Sequence, residues 1–416
     1  MGSEMCIRDR YKQTKNRIDQ LEITGHNTDK VEIIIMGGTF PSLTLDYQQW
    51  FVKRIFDALN GQESKYLEEA QKLNETANHR CVGLTFETRP DWCKESHIDR
   101  MLEMGATRVE VGVQNIYDFI YARVKRGHTV RDVIEATRLA RDAGLKINYH
   151  MMPGLPGSDL DRDLRAFRKI FGDPDFRPDM VKIYPTLVLE GTELYEMYKR
   201  NEYRPYTTEE VVELIVKIKE MMPPWVRTMR IQRDIPAHLI VAGVKTGNLG
   251  ELVYKELKRR GIQCRCIRCR EAGHRYLKEG ILPEKSEIIV RRYEAGDGIE
   301  YFISSEDREK DILLGYIRLR FPSENAHRSE FDSETAIVRE LHVYGPVLGI
   351  GEKPVHRAMV QHRGTGRQLL GEAEQLSLES GYRRLLVISG VGVRNYYRAM
   401  RYEREGPYMV KKLRKK

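Results

Sequence analysis

Short apolar segments that alternate with helical segments shape the first half of this 416-residue chain. Amphipathic stretches such as Val130–Ala143 separate the apolar segments. This alternation is typical of parallel βα units, and it predicts an α/β fold, a partial TIM-like barrel. In such folds the functional site lies at the carboxyl ends of the strands. The five predicted strands are Val31–Met36, Cys81–Phe86, Arg108–Val113, Lys146–Met151 and Met180–Tyr184.

The pattern changes twice in the second half of the chain. A proline-rich stretch near residue 225 is followed by a basic segment, and from Ser286 the sequence predicts successive antiparallel strands followed by two helices. Strands grouped in this way are typical of an α+β domain. We predict a barrel over residues 11–225, a basic linker over 226–285 and an α+β domain over 286–416. Residues 1–10 fit nothing that follows and are expected to be a non-native head.

Charge and hydropathy limit the classes of partner. The chain has 70 Lys and Arg against 61 Asp and Glu, a net charge of +9. This excess favours a polyanionic partner such as nucleic acid, and a solvated basic tail explains it equally well. No apolar run approaches the roughly 20 residues of a membrane span. The sequence therefore predicts a soluble, cytoplasmic protein without a membrane partner.

Three of the six cysteines lie close together, at Cys264, Cys266 and Cys269. Thiolates at this spacing can share one Zn²⁺ ion, which prefers four tetrahedral ligands, and His274 is a candidate for the fourth. Three reduced cysteines on a basic loop are the alternative. Because no acid–base pair lies nearby, we expect a structural zinc site.

A glycine-bearing turn at Gly364 and Gly366 precedes a predicted helix. Such a turn lets a phosphate approach the backbone at a helix start, and an ordinary helix start is the alternative. The stretch from Gln361 to Gly366 matches the Q/R-x-x-G-x-G/A loop of the GNAT acetyltransferases, which holds the pyrophosphate of acetyl-CoA. We therefore expect the α+β domain to be a GNAT acetyltransferase domain.

Two adjacent tyrosines, Tyr396 and Tyr397, follow the last predicted strand. A tyrosine beside the cofactor thiol can protonate the leaving thiolate as a general acid. Two core tyrosines on a helix are the alternative. Within the barrel, polar or glycine residues at the strand ends could contact one ligand, although each is individually explained by a structural role.

Eight further stretches, taken in order, resemble the catalytic subunit of Elongator in its single-chain archaeal or bacterial form. The resemblance covers nearly everything from Tyr11 to Lys412, and it rests on residues 25–32, 36–40, 85–91, 126–130, 230–236, 264–271, 339–345 and 389–397. It implies a radical-SAM barrel joined by a zinc-binding linker to a GNAT acetyltransferase domain. The implied activity forms 5-carboxymethyluridine at the wobble position of tRNA, from acetyl-CoA and radical chemistry of S-adenosylmethionine (SAM) at a [4Fe–4S] cluster.

The resemblance also implies roles for individual residues. Tyr397 and Tyr396 would be catalytic, and Cys264, Cys266 and Cys269 would bind zinc. Acetyl-CoA would be bound by Lys30, Glu340, Leu341, His342, Val343, Gln361, Gly364, Thr365, Gly366, Arg367 and Tyr397. SAM would be bound by Gly37 and Gly38, and Glu87, Gln114 and Lys182 could contact the same ligand because they lie at or near later strand ends. Phosphates of tRNA would be bound by Arg227, Arg230, Arg233, Arg265 and Arg268.

The sequence departs from the family at its start. The family has three cluster-binding cysteines in a C-x9-C-x2-C pattern before the first strand, and here only Cys6 precedes Val31. Three thiolates are needed to hold a [4Fe–4S] cluster with one open iron. We therefore expect an N-terminally truncated chain, with loss of the radical step as the alternative. In a smaller departure, Arg401 stands where the GNAT helix usually has glycine.

Three functions follow from these patterns. The first is a tRNA-modifying acyltransferase, the second a protein-lysine acetyltransferase that uses only the GNAT domain, and the third a tRNA-stimulated acetyl-CoA hydrolase without the cluster. A homodimer is a further expectation. The first function also requires that the carboxyl ends of the barrel strands and the Tyr397 pocket share one cavity.

Overall fold

The computed structural model describes residues 9–344 and 364–414. Cys6 and Gln361 therefore lie outside the described residues. The first domain is a half-barrel of six parallel strands, whose order in the sheet follows their order in the chain. The prediction of parallel βα units is confirmed, and each of the five predicted strands is present within two residues of its predicted bounds. The six strands are β1 (Lys30–Ile35), β2 (Arg80–Thr88), β3 (Arg108–Gln114), β4 (Lys146–Met151), β5 (Met180–Ile183) and β7 (Arg227–Arg230).

Helices connect these strands and cover one face of the sheet. Thr129 and Thr207 begin two of them with capping boxes, in which the threonine side chain accepts the N–H of Asp132 or Glu210. The apolar helix faces pack on alternate strand residues in one core. None of the described helices combines the length and apolarity needed to span a lipid bilayer. The helices α1–α9 are Arg10–Ile23, Leu45–Asn60, Leu67–Asn74, Glu95–Glu103, Asp118–Arg123, Val130–Asp142, Leu160–Gly172, Glu193–Lys199 and Thr208–Glu220.

The sixth strand, β7, runs past residue 225, where the sequence predicts that the barrel ends. Met180 of β5 pairs with Arg227 in parallel register. The segment Arg-Thr-Met-Arg has no apolar run, so sequence periodicity gives no sign of a strand there. Beyond it, β6 (Val188–Leu189) and β8 (Ile240–Ala242) form a two-stranded pair. The helices α10–α12 follow at Leu249–Arg260, Ile267–Arg270 and Ala272–Glu279.

The second domain is a seven-stranded sheet in the order β14-β15-β13-β12-β11-β10-β9. Its strand pairs are antiparallel except β12–β13, which is parallel. In chain order, the strands are β9 (Glu287–Ala295), β10 (Gly298–Asp307), β11 (Ile312–Phe321), β12 (Thr335–Val343), β13 (Arg384–Ile388), β14 (Glu403–Glu405) and β15 (Tyr408–Lys412). The helices α13 (Thr365–Glu379) and α14 (Arg394–Arg398) complete the described part. Arg401, at the position where glycine is usual, takes the left-handed φ of +67° that glycine tolerates best.

The second domain packs against the amino ends of the barrel strands. Arg339 donates to the carbonyl of Leu145, just before β4 (2.8 Å), and Arg318 donates to the carbonyl of Trp225, just before β7 (2.8 Å). The hydroxyl of Tyr408 donates to the carbonyl of Ala143 (2.9 Å). The carboxyl ends of the strands therefore point away from this domain contact, whereas the common cavity that the first function requires stays a prediction. The turns that precede the strands expose carbonyls at the amino ends, and the arginines of β11 and β12 bind them.

A buried network of charges fills this domain interface. Asp179 accepts two hydrogen bonds from Arg339, at 2.6 and 2.8 Å, and Arg339 also contacts Glu300 at 2.9 Å. Arg318 bridges Asp179 (3.4 Å) and Glu340 (2.8 Å). Four arginines face four carboxylates, so the network is neutral in formal charge. Its members are Arg141, Arg318, Arg320, Arg339, Asp142, Asp179, Glu300 and Glu340.

We expect Asp179→Asn to destabilise the protein strongly. The substitution keeps the shape of the side chain but leaves Arg339 and Arg318 buried with less opposing charge, which typically costs about 3–5 kcal/mol. Urea unfolding measures the free energy. Glu202→Gln is the control, because it breaks an exposed ion pair with Arg200 and should change stability by less than about 0.5 kcal/mol. Equal effects of the two substitutions would contradict the role of the network.

Candidate active sites of the barrel and the second domain

The concave face of the barrel sheet is polar. In β3, Val109, Val111 and Val113 pack in the core under the helices, whereas Arg108 and Glu110 point to the opposite side of the sheet. Strands β4 and β5 continue this alternation. Parallel strands covered on both faces are usually apolar throughout. The polar and charged residues at most of these alternate positions therefore mark this face as a functional surface.

Glu110 is the centre of a buried polar cluster on this face. It accepts hydrogen bonds from His150 Nε2 (2.7 Å), Asn148 Nδ2 (3.1 Å) and Lys182 Nζ. Burial opposes ionisation of Glu110, but the hydrogen bond and charge of His150, together with Lys182, lower its pKa to about 2. His150 Nδ1 also lies 3.4 Å from Glu87. Burial opposes protonation of His150, but the two carboxylates outweigh this effect and raise its pKa.

The predicted SAM residues lie at the carboxyl ends of β1, β2, β3 and β5. Gly37 and Gly38 have φ of +115° and +85°, which explains glycine at both positions. The backbone N–H of Gly37 points to Glu87 at 3.4 Å. Gln114 has φ of +65°, and its side-chain carbonyl is buried without a hydrogen-bond partner among the described residues.

Sequence reasoning missed Glu110 and His150, which join Glu87 to Lys182. The signal that could have found them is their spacing. Glu110 lies between apolar residues in Arg-Val-Glu-Val, and His150 follows Asn148 by two positions. A polar residue at every second position of a parallel strand indicates a polar concave face.

Two of the predicted tRNA-binding arginines lie at this same end of the barrel. The guanidinium of Arg233 lies 6.0 Å from the ring centre of Tyr184, and that ring lies 5.6 Å from His150. Arg230 is 43% exposed and pairs with Asp234. Both arginines are therefore accessible beside the polar cluster.

The other three predicted tRNA-binding arginines are placed differently. Arg227 is largely buried and bonds Glu271 and the hydroxyl of Tyr344, both at 2.6 Å. Arg265 is exposed, 3.5 Å from Asp311, and Arg268 is half-buried. The structure thus leaves Arg265 and Arg268 near the surface and commits Arg227 to an internal contact.

Strand β12 runs past the end of its pairing with β13, and we call the open side of this continuation the wedge. Their parallel pairing covers Thr335–Val338, whereas β12 continues to Val343, paired with β11 on its other side. The predicted acetyl-CoA residues Glu340, Leu341, His342 and Val343 all lie in this continuation. Glu340 points its carboxylate to Arg318, and Leu341 packs in the domain core. An extended ligand could pair with the backbone on the open side of β12.

The start of α13 lies at the mouth of this wedge. Gly364 has φ of +108°, and a Cβ at Gly366 would lie 2.7 Å from the hydroxyl of Tyr396 and 3.6 Å from Val343. A larger side chain at this position would displace the Tyr396 hydroxyl where helix, strand and tyrosine meet. Arg367 is exposed in the first turn and Thr365 is buried. A helix start together with the exposed Arg367 suits a phosphate.

Tyr397 lies beside the wedge, in the core of the second domain. Its ring packs edge-on to Tyr396 at 5.2 Å and to Tyr402 at 5.9 Å. Burial raises the pKa of Tyr397, so the phenol stays protonated and can act as a proton donor. Lys30 is exposed at the start of β1 and pairs in register with Arg80. It therefore lies at the amino end of the sheet, the end against which the second domain packs.

The three cysteines of the linker form a group that fits a metal ion. The Sγ atoms of Cys264, Cys266 and Cys269 lie within 4.8 Å of one another. Burial opposes ionisation of the Cys266 thiol. Hydrogen bonds from the other two thiols and the charge of Lys219 outweigh this effect and lower the pKa of Cys266 well below its usual value. Lys219 Nζ lies 3.3 Å from Cys266 Sγ. His274 is not brought into this group, so three protein ligands are available among the described residues.

A [4Fe–4S] cluster does not fit the described residues at the carboxyl end of the barrel. Cys81 and Cys93 are fully buried in the apolar core, where burial raises the pKa of each thiol to about 12. Within residues 9–344 and 364–414, the linker cysteines are the one group that could share a metal. We therefore derive no step through the cluster.

Comparisons with known proteins place the chain among its relatives. The Radical SAM superfamily matches residues 4–168, and the Radical_SAM C-terminal domain matches residues 178–259. "tRNA uridine(34) acetyltransferase" of Methanocaldococcus infernus is 56% identical over 408 residues, 97% of this chain and 76% of that protein. "Elongator complex protein 3" of Homo sapiens is 46% identical over 416 residues, 99% of this chain and 76% of that protein.

A solved structure is similar to this chain over nearly the whole length of both. It is the archaeal Methanocaldococcus infernus Elp3 with an N-terminus deletion (1-46), which is 55% identical to this chain. The TM-score is 0.94, and the match covers 99% of this chain and 97% of that chain.

We expect the purified chain to contain zinc and Cys266→Ser to lose it, because a hydroxyl cannot replace a thiolate ligand. Elemental analysis by plasma mass spectrometry after desalting measures the metal. Cys93→Ser is the control, since Cys93 is buried but lies outside the cysteine group. Zinc retained by Cys266→Ser at the wild-type level would contradict the assignment.

Proposed function

This chain belongs to the family of tRNA uridine(34) acetyltransferases and Elongator complex protein 3, and from that premise we propose that it modifies the wobble uridine of tRNA with a group taken from acetyl-CoA. The product we propose is 5-carboxymethyluridine. The carbon–carbon bond of this product would need SAM and a [4Fe–4S] cluster, as the radical-SAM family implies, and we derive no step through that cluster because the described residues do not hold it. Gly37, Gly38, Glu87, Gln114 and Lys182 would hold SAM at the carboxyl ends of the strands. We place the reaction in the cytoplasm.

The observation that best supports an acyl donor is the wedge between β12 and β13. The backbone of β12 beyond Val338 is not paired with β13, so the amide arm of acetyl-CoA can bind there as an added strand. The helix start at Gly364 and Arg367 would hold the pyrophosphate. Together these features support binding of coenzyme A by its two most distinctive parts.

Tyr397 would assist cleavage of the thioester. Water adds to the acetyl carbonyl, the carbon–sulfur bond breaks, and the Tyr397 hydroxyl donates its proton to the leaving sulfur. The proton released by the attacking water restores the phenol. Because burial raises the pKa of Tyr397, the phenol is protonated at neutral pH and ready to donate.

The tRNA would approach the carboxyl end of the barrel. Arg230 and Arg233 lie there beside Tyr184 and the Glu110 cluster. Arg265 and Arg268 would extend the contact toward the cysteine group, where zinc would hold the linker. Arg227 contributes less directly, because its charge is committed to Glu271.

A second candidate is a tRNA-stimulated hydrolase of acetyl-CoA that lacks the radical step. It would use the same wedge and Tyr397, and it needs no cluster. The alternative of a protein-lysine acetyltransferase uses the second domain alone and gives the polar concave face no role. The homodimer stays a prediction.

We expect tRNA to accelerate acetyl-CoA hydrolysis and Tyr397→Phe to lower kcat by at least about 100-fold, the effect of losing a general acid. Release of free thiol measures the rate, and filter binding checks that tRNA affinity is unchanged. Tyr382→Phe is the control, because Tyr382 stacks on Phe321 at 4.1 Å, at a distance in sequence from α14.

Two results would contradict this proposal. Equal hydrolysis with and without tRNA would favour the lysine acetyltransferase instead. A wild-type rate in Tyr397→Phe would remove Tyr397 from the reaction and leave the tRNA assignment standing.

We expect replacement of Arg230 and Arg233 by glutamine to weaken tRNA binding and to reduce its dependence on salt. Each lost phosphate contact lowers the slope of log affinity against log salt concentration by roughly 0.7–0.9. Binding titrations at several salt concentrations measure the slope. Arg404→Gln, an exposed arginine of β14, is the control. An unchanged slope in the double variant would exclude these arginines from the tRNA surface.

A further inference from the structure

The segment that carries the two tyrosines is inserted into the barrel. Val391 is fully buried in the barrel core. A Cβ at Gly390 would collide with the carbonyl of Val82, and one at Gly392 would lie 2.5 Å from the Cβ of Arg80. Both neighbours belong to β2, so glycine allows the turn before α14 to lie directly on a barrel strand.

A single carboxylate of the barrel then holds helix α14 itself. Glu75, at the end of α3, contacts Arg398 at 2.5 Å and Arg394 at 3.2 Å. Its backbone carbonyl also accepts from the side chain of Asn395 at 3.2 Å. The Glu75 side chain is 10% exposed and that of Arg394 is 3% exposed. The Glu75–Arg394 pair is therefore shielded from solvent, whereas the Arg398 side chain is 39% exposed.

The five residues of α14 have two distinct roles. Arg394, Asn395 and Arg398 bind the barrel through Glu75, and Tyr396 and Tyr397 reach the wedge of the second domain. The helix is too short to hold its direction without tertiary contacts. Glu75 is therefore the barrel carboxylate that contacts this helix on the side away from the tyrosines.

We propose that Glu75 is a positioning residue for the acyl reaction, which fixes the Tyr396–Tyr397 helix relative to the thioester from across the domain interface. The inference rests on the proposed function, since it assigns Tyr397 to thioester cleavage. It adds that the barrel controls this reaction through one carboxylate. Displacement of a catalytic group by about 1 Å can lower a rate by about 100-fold.

The test compares Glu75→Gln with Asp99→Asn in the full chain. Asp99 is a matched control, because this barrel carboxylate also binds an arginine of the second domain, Arg328, at 2.9 Å, and its partner is not on α14. We expect Glu75→Gln to lower kcat for acetyl-CoA hydrolysis at least tenfold with less than a threefold change in KM. We expect Asp99→Asn to keep kcat within threefold, and Glu75→Asp to recover part of the loss.

Hydrogen exchange of peptides covering residues 391–402 gives a readout independent of activity. We expect faster exchange in Glu75→Gln than in the wild type or in Asp99→Asn. An unchanged kcat, an equal loss in Asp99→Asn, or unchanged exchange would each overturn the inference. If the wild type shows no hydrolysis with tRNA, the proposed function fails. An active wild type with an active Glu75→Gln rejects the positioning role alone.

Discussion

The buried ion network between the two domains is the constraint on which the rest of the structure depends. Removing eight charges from water costs several kcal/mol for each ion unless partners compensate it. Here the compensation requires both domains, since Asp142 and Asp179 belong to the barrel and Arg318, Arg320 and Arg339 to the second sheet. Without the other domain, the buried carboxylates of the barrel would lack these arginines, and the arginines would lack these carboxylates. The domains are therefore held in one orientation, and Glu340 carries the network directly into the wedge of the acyl site.

This orientation places the two candidate sites at opposite ends of the barrel strands. Along β2, the turn before α14 lies on Arg80 and Val82, whereas Glu87 lies near the carboxyl end beside Gly37. At about 3.3 Å per residue, seven residues separate these ends by roughly 23 Å. Polar residues of the concave face line part of that distance, from Glu32 and Arg108 to Glu110 and His150. This charged surface therefore lies between the two candidate sites.

Much of the fold could be predicted from the sequence, because period-two apolar strands and amphipathic helices are local signals. Strand β4 is found at its predicted bounds, and the cysteine group forms as its spacing predicts. Three features could not be predicted from such local signals. Strand β7 is polar and exists only by pairing with β5. Glu110 and His150 become a cluster only when parallel strands align. The docking of the second domain on the amino ends depends on long-range pairs such as Arg339–Asp179, which no local pattern reveals.

The central claim is that one chain holds an acyl donor at the amino end of the barrel and a tRNA base at the carboxyl end. A structure of the chain bound to tRNA and desulfo-coenzyme A tests it most directly. The account predicts the amide arm between β12 and β13, the pyrophosphate at Gly364–Arg367, and the wobble base beside Arg233 and Tyr184. Coenzyme A bound outside the wedge, or an anticodon placed away from the carboxyl ends of the strands, would contradict it.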